Sequence, residues 1–148
     1  MPLLTENRRG LRARTLLDRW EVGIVLSGPE VKSAKRGSVD LSAAFALVRN
    51  GQLWLINADI APYPYARGVQ QGYNPKRRRK LLASKREITS IASQVEGPGL
   101  TLVPVRLYTK QSLVKLEIAL ARGQKRFDKR EAIKKREIDR RILRATRR

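Results

Sequence analysis

The chain reads as mainly β with flanking helices: an antiparallel barrel followed by a basic arm. Three observations predict this. Several short runs alternate apolar with polar or small residues, the two-residue period of a half-buried strand. Gly, Pro and Asn separate those runs, and a small chain with many strands loses its exposed edges most easily by closing a barrel. The last 27 residues, Arg122 to Arg148, carry thirteen Lys or Arg against four acids, too dense a charge to bury.

The elements follow in order. Met1 to Arg14 is polar and basic, with Gly10 as a breaker, and is expected to be a loosely ordered lead-in. From Trp20 the pattern becomes a strand, with Val22, Ile24 and Leu26 on one face, ended by Ser27-Gly28-Pro29. Pro29 to Arg36 suits a short helix, with Pro in its first turn and Gly37 just past its end. Val39 to Val48 and Leu53 to Asn57 read as strands joined by Asn50-Gly51, the pair favoured where both central residues of a type I′ turn need positive φ. Ala61 to Pro75 holds three prolines and two glycines and is expected to be a long loop, with Tyr63, Tyr65 and Tyr73 either packed locally or functional.

Ser84 and Glu87 have the spacing of a capping box, which starts a helix with Ile88, Ile91, Ala92 and Val95 as its buried stripe. Gly97-Pro98-Gly99 ends it. Leu100 to Tyr108 is a strand in which Pro104 demands an edge or a bulge. Thr109 to Ser112 turns, and Leu113 to Leu120 is a further strand. The oligonucleotide-binding barrel is the nearest pattern. The expected organisation is a lead-in over 1–14, a barrel over 15–122 and a basic tail over 123–148. In the tail, Asp128 can cap a helix, and Glu131 with Lys135 and Glu137 with Arg141 are i, i+4 pairs. Such a helix is marginal alone, so the tail is expected to be disordered free and helical when docked on RNA.

The chain has 148 residues, a net charge of +20 and 41% hydrophobic residues, enough for a core and strongly suited to a polyanion. It contains no Cys and no His, which removes disulfides, Cys or His zinc sites, thiol nucleophiles and the commonest general base. Its acids are scattered and suggest no magnesium site. A non-enzymatic protein without cofactors is expected. With no leader-like or membrane-length apolar run, so is a cytoplasmic location without membrane contact.

Three constellations could carry function. Lys76-Arg77-Arg78-Arg79-Lys80 places five cations in succession, joined by Lys85 and Arg86, suited to phosphates or, more blandly, to solvent. Glu21 beside Trp20 is either a structural ion-pair partner or a reader of base or ribose donors, which a phosphate-binding cation cannot engage. Phe127, the only aromatic after Tyr108, could stack on an unpaired base or pack on the barrel.

Taken together, Glu21-Val22-Gly23-Ile24-Val25-Leu26, Glu30-Val31-Lys32-Ser33, Gly51 to Asn57, Arg79-Lys80-Leu81-Leu82, Lys85 to Ile88, Gly99 to Pro104, Leu107-Tyr108, Ala119 to Gly123 and Asp128-Lys129-Arg130 resemble one family, small protein B of bacterial trans-translation. The resemblance runs from about Asn7 to the C-terminus. It implies an oligonucleotide-binding-type barrel that binds the tRNA-like part of tmRNA and enters ribosomes stalled on messages without a stop codon, with a tail in the decoding centre and the empty message channel. Elongation factor Tu and alanyl-tRNA synthetase would act on the same tmRNA, and the protein itself is expected to be a monomer. By position, Glu21, Leu82 and Lys115 would contact tmRNA, assisted by Asn7, Arg8, Arg9 and Arg12. Phe127 would lie near decoding-centre bases, and Asp128, Lys129 and Arg130 would open a tail that continues through Lys134, Lys135 and Arg136. The chain departs from the family pattern in lacking the His that usually follows the N-terminal basic run, in Gln124 where Lys is frequent, and in the loop from Ala61 to Asn74. A structural ribosomal protein with a basic extension would show the same composition.

Overall fold

A computed structural model describes residues 2–65 and 72–123. Among them, nine strands and two helices run in the order β1 (Leu3–Glu6), β2 (Arg14–Ile24), α1 (Gly28–Lys35), β3 (Val39–Asp40), β4 (Phe45–Arg49), β5 (Gln52–Ile56), β6 (Asp59–Ile60), β7 (Arg79–Leu82), α2 (Lys85–Gln94), β8 (Leu100–Lys110) and β9 (Leu113–Gly123). All these strands pair antiparallel. β8, β4, β5, β7, β2 and β9 are hydrogen-bonded in that order, and β9 pairs back onto β8, so six strands close a ring. The barrel expected from the strand pattern is therefore present, with two helices outside it.

Alternation explains the closure. In β2, Val22 faces in and Glu21 faces out; in β9, Leu116, Ile118 and Leu120 face in. Leu53, Leu55, Leu81, Leu102, Leu107, Leu116 and Ile118 are at most 1% exposed. Each stabilises the fold by roughly 1.5–3 kcal/mol relative to exposure. α2 adds Ile91, fully buried, while Ile88, Ala92 and Val95 are only half-buried, so the expected stripe is narrower than its spacing suggests.

The turns follow backbone chemistry. Asn50 and Gly51 both have positive φ, 52° and 73°, as the Asn-Gly signal requires. The β8–β9 hairpin uses the same geometry with Gln111 and Ser112, at φ 52° and 66°, where no Gly or Asn marks it. It is shorter than the expected turn, and β8 extends to Lys110. Pro104 sits at a bulge: Pro104 pairs with Ile118 and Arg106 with Glu117, leaving Val105 as the extra residue.

Four expectations change. The lead-in is not loose: β1 pairs with β8 from Leu3↔Tyr108 to Glu6↔Arg106. Four residues with little alternation become a strand because β8 offers them an edge. The first long strand begins at Arg14 rather than Trp20, since β9 continues to Gly123 and supplies partners as far as Arg14↔Gly123. Val39 to Val48 is not continuous; β3 and β4 are separate, and Asp40 accepts the Ser42 amide at 2.9 Å in a turn between them. The capping box at Ser84 is half formed: Ser84 Oγ accepts the Glu87 amide at 3.1 Å, but the carboxylate returns to the Ser84 hydroxyl. A complete box forms instead at α1, where Ser27 and Glu30 exchange both bonds.

The long loop holds no helix or strand over 61–65 and 72–75, and its base is closed by the Ile60 amide donating to the Pro75 carbonyl at 3.0 Å. The tail from residue 124, with its expected helix pairs and the positions Phe127 to Arg136, lies outside the described residues.

Candidate functional site

Strand register builds one outer face. Leu82 on β7 pairs with Gly23 on β2, Gly23 pairs with Lys115 on β9, and Lys115 pairs with Tyr108 on β8. Glu21 lies two residues from Gly23 and so shares its face. Three residues assigned to RNA by the resemblance, far apart in sequence, thus meet around one glycine. The glycine matters: a Cβ at Gly23 would come within 3.2 Å of Leu82 Cβ, so its absence leaves room for Leu82. Leu82 is 52% exposed, an apolar side chain presented outward.

Glu21 is held by its neighbours. It accepts hydrogen bonds from the Tyr108 hydroxyl and from Lys110 Nζ at 3.2 Å. The tyrosine bond, then the lysine, keeps its carboxyl below the usual carboxylate range. Burial and the same carboxylate raise the Tyr108 phenol, so the phenol stays a donor. The ion-pair reading of Glu21 therefore holds. A carboxylate fixed this way also keeps its remaining lone pairs for a donor from outside. Tyr108 and Lys110 belong to this constellation, and only the strand register reveals them.

Next to it, Glu117 accepts from Arg19 Nη1 at 3.0 Å and Arg106 Nε at 2.6 Å, joining β2, β9 and β8.

The N-terminal candidates divide. Asn7 is 3% exposed. Its side chain donates to the Pro104 carbonyl at 2.8 Å and accepts the Gly10 amide at 2.9 Å, while its own amide donates to the Val105 carbonyl at 2.8 Å. Asn7 thus satisfies the carbonyls freed by the Pro104 bulge, and its expected role as an RNA contact gives way to a scaffolding one. Arg8, Arg9 and Arg12 are exposed around the turn it organises; Arg8 lies 3.3 Å from Glu6.

The five-cation run also divides. Arg79 is fully buried and cannot meet a phosphate at the surface, so its expected contact is corrected. Its Nη2 lies 2.7 Å from Glu30 Oε2, 2.9 Å from the Tyr73 hydroxyl and 2.9 Å from the Pro75 carbonyl, and its Nη1 donates to the Ala58 carbonyl at 2.6 Å. Arg77 also pairs with Glu30. Burial pushes the Glu30 carboxyl up, but Arg77, the Ser27 amide and Arg79 outweigh it and bring it down to about 2. Alternation explains the outcome: Arg79 and Leu81 face inward, leaving Lys80 and Leu82 outward. Tyr73 takes the local-packing role. Tyr63 and Tyr65 meet edge to face at 5.5 Å, with Arg36 over both rings. Lys76 and Arg78 stay exposed, and Arg78 lies over Trp54 at 4.8 Å.

Among the described residues no helix is long and apolar enough to cross a membrane, and no three His, Cys, Asp or Glu side chains cluster as metal ligands would. The fold and face define a small, strongly cationic antiparallel barrel that presents a fixed carboxylate, an exposed leucine and a lysine on one strand face. Comparison makes the class specific. The family model described as SmpB protein matches residues 4–148. An SsrA-binding protein from Gloeothece citriformis is 46% identical over 146 residues, covering 99% of this chain and 94% of its own. One from Carboxydothermus hydrogenoformans is 44% identical over 145 residues, covering 98% and 96%. A solved structure described as "tmRNA-SmpB: a journey to the center of the bacterial ribosome" contains a chain 40% identical, with a TM-score of 0.69 over 90% of this chain and 95% of that one. The chain belongs to the SmpB family.

Proposed function

We propose that the chain is a tmRNA-binding adaptor of trans-translation that performs no covalent chemistry. The observation that carries this is the meeting of Glu21, Leu82 and Lys115 on one outer face, within a chain that matches its family from residue 4 to residue 148. The barrel grips the tRNA-like domain of tmRNA through that face. A fixed acceptor, an apolar contact and a cation distinguish a folded RNA surface from a bare phosphate row.

The adaptor brings tmRNA to ribosomes stalled on non-stop messages. Its tail, with Phe127, Asp128, Lys129 and Arg130 at its opening and Lys134, Lys135 and Arg136 beyond, enters the decoding centre and the empty message channel. Messenger RNA and a cationic helix cannot share that channel, so vacancy is sensed by steric and electrostatic exclusion. Elongation factor Tu and alanyl-tRNA synthetase are indirect partners through tmRNA, and the protein acts as a cytoplasmic monomer.

The test is to recover the protein from lysate and sequence the bound RNA. A single dominant species with a tRNA-like end supports the proposal. Stoichiometric recovery with salt-washed small subunits and no such RNA would replace it with a structural ribosomal role.

A further inference from the structure

The outer face does not stop at Leu82. Two residues back along β7, Lys80 pairs with Trp54 on β5, and the Val25 amide on the β2 side donates to the Lys80 carbonyl at 2.9 Å. Leu53, Leu55, Arg79 and Leu81, the alternate positions of the same strands, are all buried, so Trp54 and Lys80 face outward on the side that carries Leu82. Unlike Trp20, Trp54 does not pack against the central core cluster. Its ring is covered instead by the guanidinium of Arg78, 4.8 Å from the centroid.

Arg78 is exposed, and among the described residues no acid lies in salt-bridge contact with Arg78, Lys80 or Lys115. By contrast, Arg19, Arg77, Arg79, Arg106 and Lys110 are each paired with a carboxylate. A guanidinium seated over a tryptophan is held near the surface, and its planar group can offer its outer side to a flat π-system and its N–H edge to an acceptor. Unpaired RNA bases have both a π-face and acceptors, and they stack on aromatic rings and on arginine planes.

We propose that Arg78, seated over Trp54, is a base-stacking platform at the β5–β7 end of the RNA-facing strip, with Lys80 taking the adjoining phosphate. Three strand spacings separate Trp54 from Lys115, about 15 Å, so the platform meets a different nucleotide from the Lys115 contact. The partner is an RNA with an unpaired base beside the stem that the Glu21–Leu82–Lys115 face grips. The proposal rests on the tmRNA reading above and assigns to it a second point of contact.

The experiment titrates in vitro transcribed tmRNA against the full-length protein and its variants at several salt concentrations. Arg78→Ala should weaken binding by about 5- to 100-fold, the range for loss of one stacked base. Arg78→Lys keeps the charge and loses the plane; it should weaken binding nearly as much while leaving the salt slope at the wild-type value. Trp54→Phe, which keeps an aromatic ring on the strand, should give a smaller loss. Wild-type affinity in Arg78→Ala would overturn the platform. Full affinity in Arg78→Lys would overturn stacking and leave only a charge contact. If those variants bind normally while Lys115→Ala is weakened, the platform fails and the adaptor function stands. If the wild-type protein does not prefer tmRNA to an unrelated RNA of equal length, the functional reading itself fails. Arg78 lies at the surface, so Arg78→Ala reads binding rather than folding.

Discussion

Glu30→Gln tests the ion cluster that anchors β7. Arg79 is fully buried, and Glu30 is the carboxylate it meets, at 2.7 and 3.0 Å. Glutamine keeps the shape and one oxygen but removes the charge, leaving a guanidinium buried among carbonyls. Removing one partner of such a pair costs about 3–5 kcal/mol. A second route gives a similar figure. The carboxyl lies at about 2 when folded, against an ordinary value of 4.5. A depressed carboxyl stabilises the fold above its unfolded value and loses that contribution as pH falls. The difference corresponds to roughly 3 kcal/mol, fully present above about pH 5 and lost between there and about pH 2. Urea unfolding at about pH 7, 5, 4 and 3 reads both. Glu30→Gln should be less stable by about 3–5 kcal/mol near neutral pH. Its acid limb below about pH 5 should be flatter than that of the wild type. A loss under about 1 kcal/mol near neutral pH would refute the reasoning, because a buried, unpaired guanidinium costs more than that.

Three further outcomes are expected. Lys115→Ala should weaken tmRNA binding by on the order of 1–3 kcal/mol in a titration, because the lysine lies in the centre of the face and, among the described residues, has no salt-bridge partner. Truncation after Arg122 should leave tmRNA affinity nearly unchanged and abolish tagging of stalled chains in a translation assay; collapse of tmRNA binding would refute the division between barrel and tail. Gly10→Ala should lower the melting temperature, since its Cβ would lie 2.6 Å from Asn7 Oδ1 and 2.8 Å from the Ser42 carbonyl. Such overpacking costs about 1–3 kcal/mol.

Local signals in the sequence located the elements whose causes are local. Asn50-Gly51, the Pro29 helix with its Gly37 stop, the Ser84 cap and the Pro104 bulge each depend on a few neighbouring residues, and each is where its chemistry puts it. β1 is invisible in the sequence because its cause is the free edge of β8, about 100 residues away. The start of β2 is hidden similarly: its irregular apolar pattern contains a register shift between Leu16 and Asp18. At the site, the family positions Glu21, Leu82 and Lys115 are legible, but their adjacency is a property of register. The fate of the five-cation run is the least legible. Composition treats its members alike, whereas strand period two sends Arg79 inward to Glu30 and Lys80 outward. The scaffolding role of Asn7 is hidden for a related reason, because the Pro104 carbonyl it satisfies lies 97 residues away.

The same partition decides how the net charge of +20 acts. Arg122 to Arg148 holds thirteen cations and four acids, a net +9 over 27 residues, so nearly half the excess sits in under a fifth of the length. In the barrel, Glu21, Glu30 and Glu117 occupy five of the cations. On the proposed RNA-facing strip, the cations without a carboxylate partner among the described residues are Lys115, Lys80 and Arg78; Arg9 and Arg12 lie exposed at the N-terminal turn. With Arg78 on a base, about four phosphate contacts give a salt slope of roughly −3 for tmRNA binding by the barrel. A tail engaged along the message channel adds many more, so ribosome binding by the full chain should fall much more steeply with salt than tmRNA binding does. Filter binding of tmRNA and of empty ribosomes across a salt series measures both slopes. Equal slopes would mean that the tail adds no phosphate contacts on the ribosome, and would refute its engagement along the message channel.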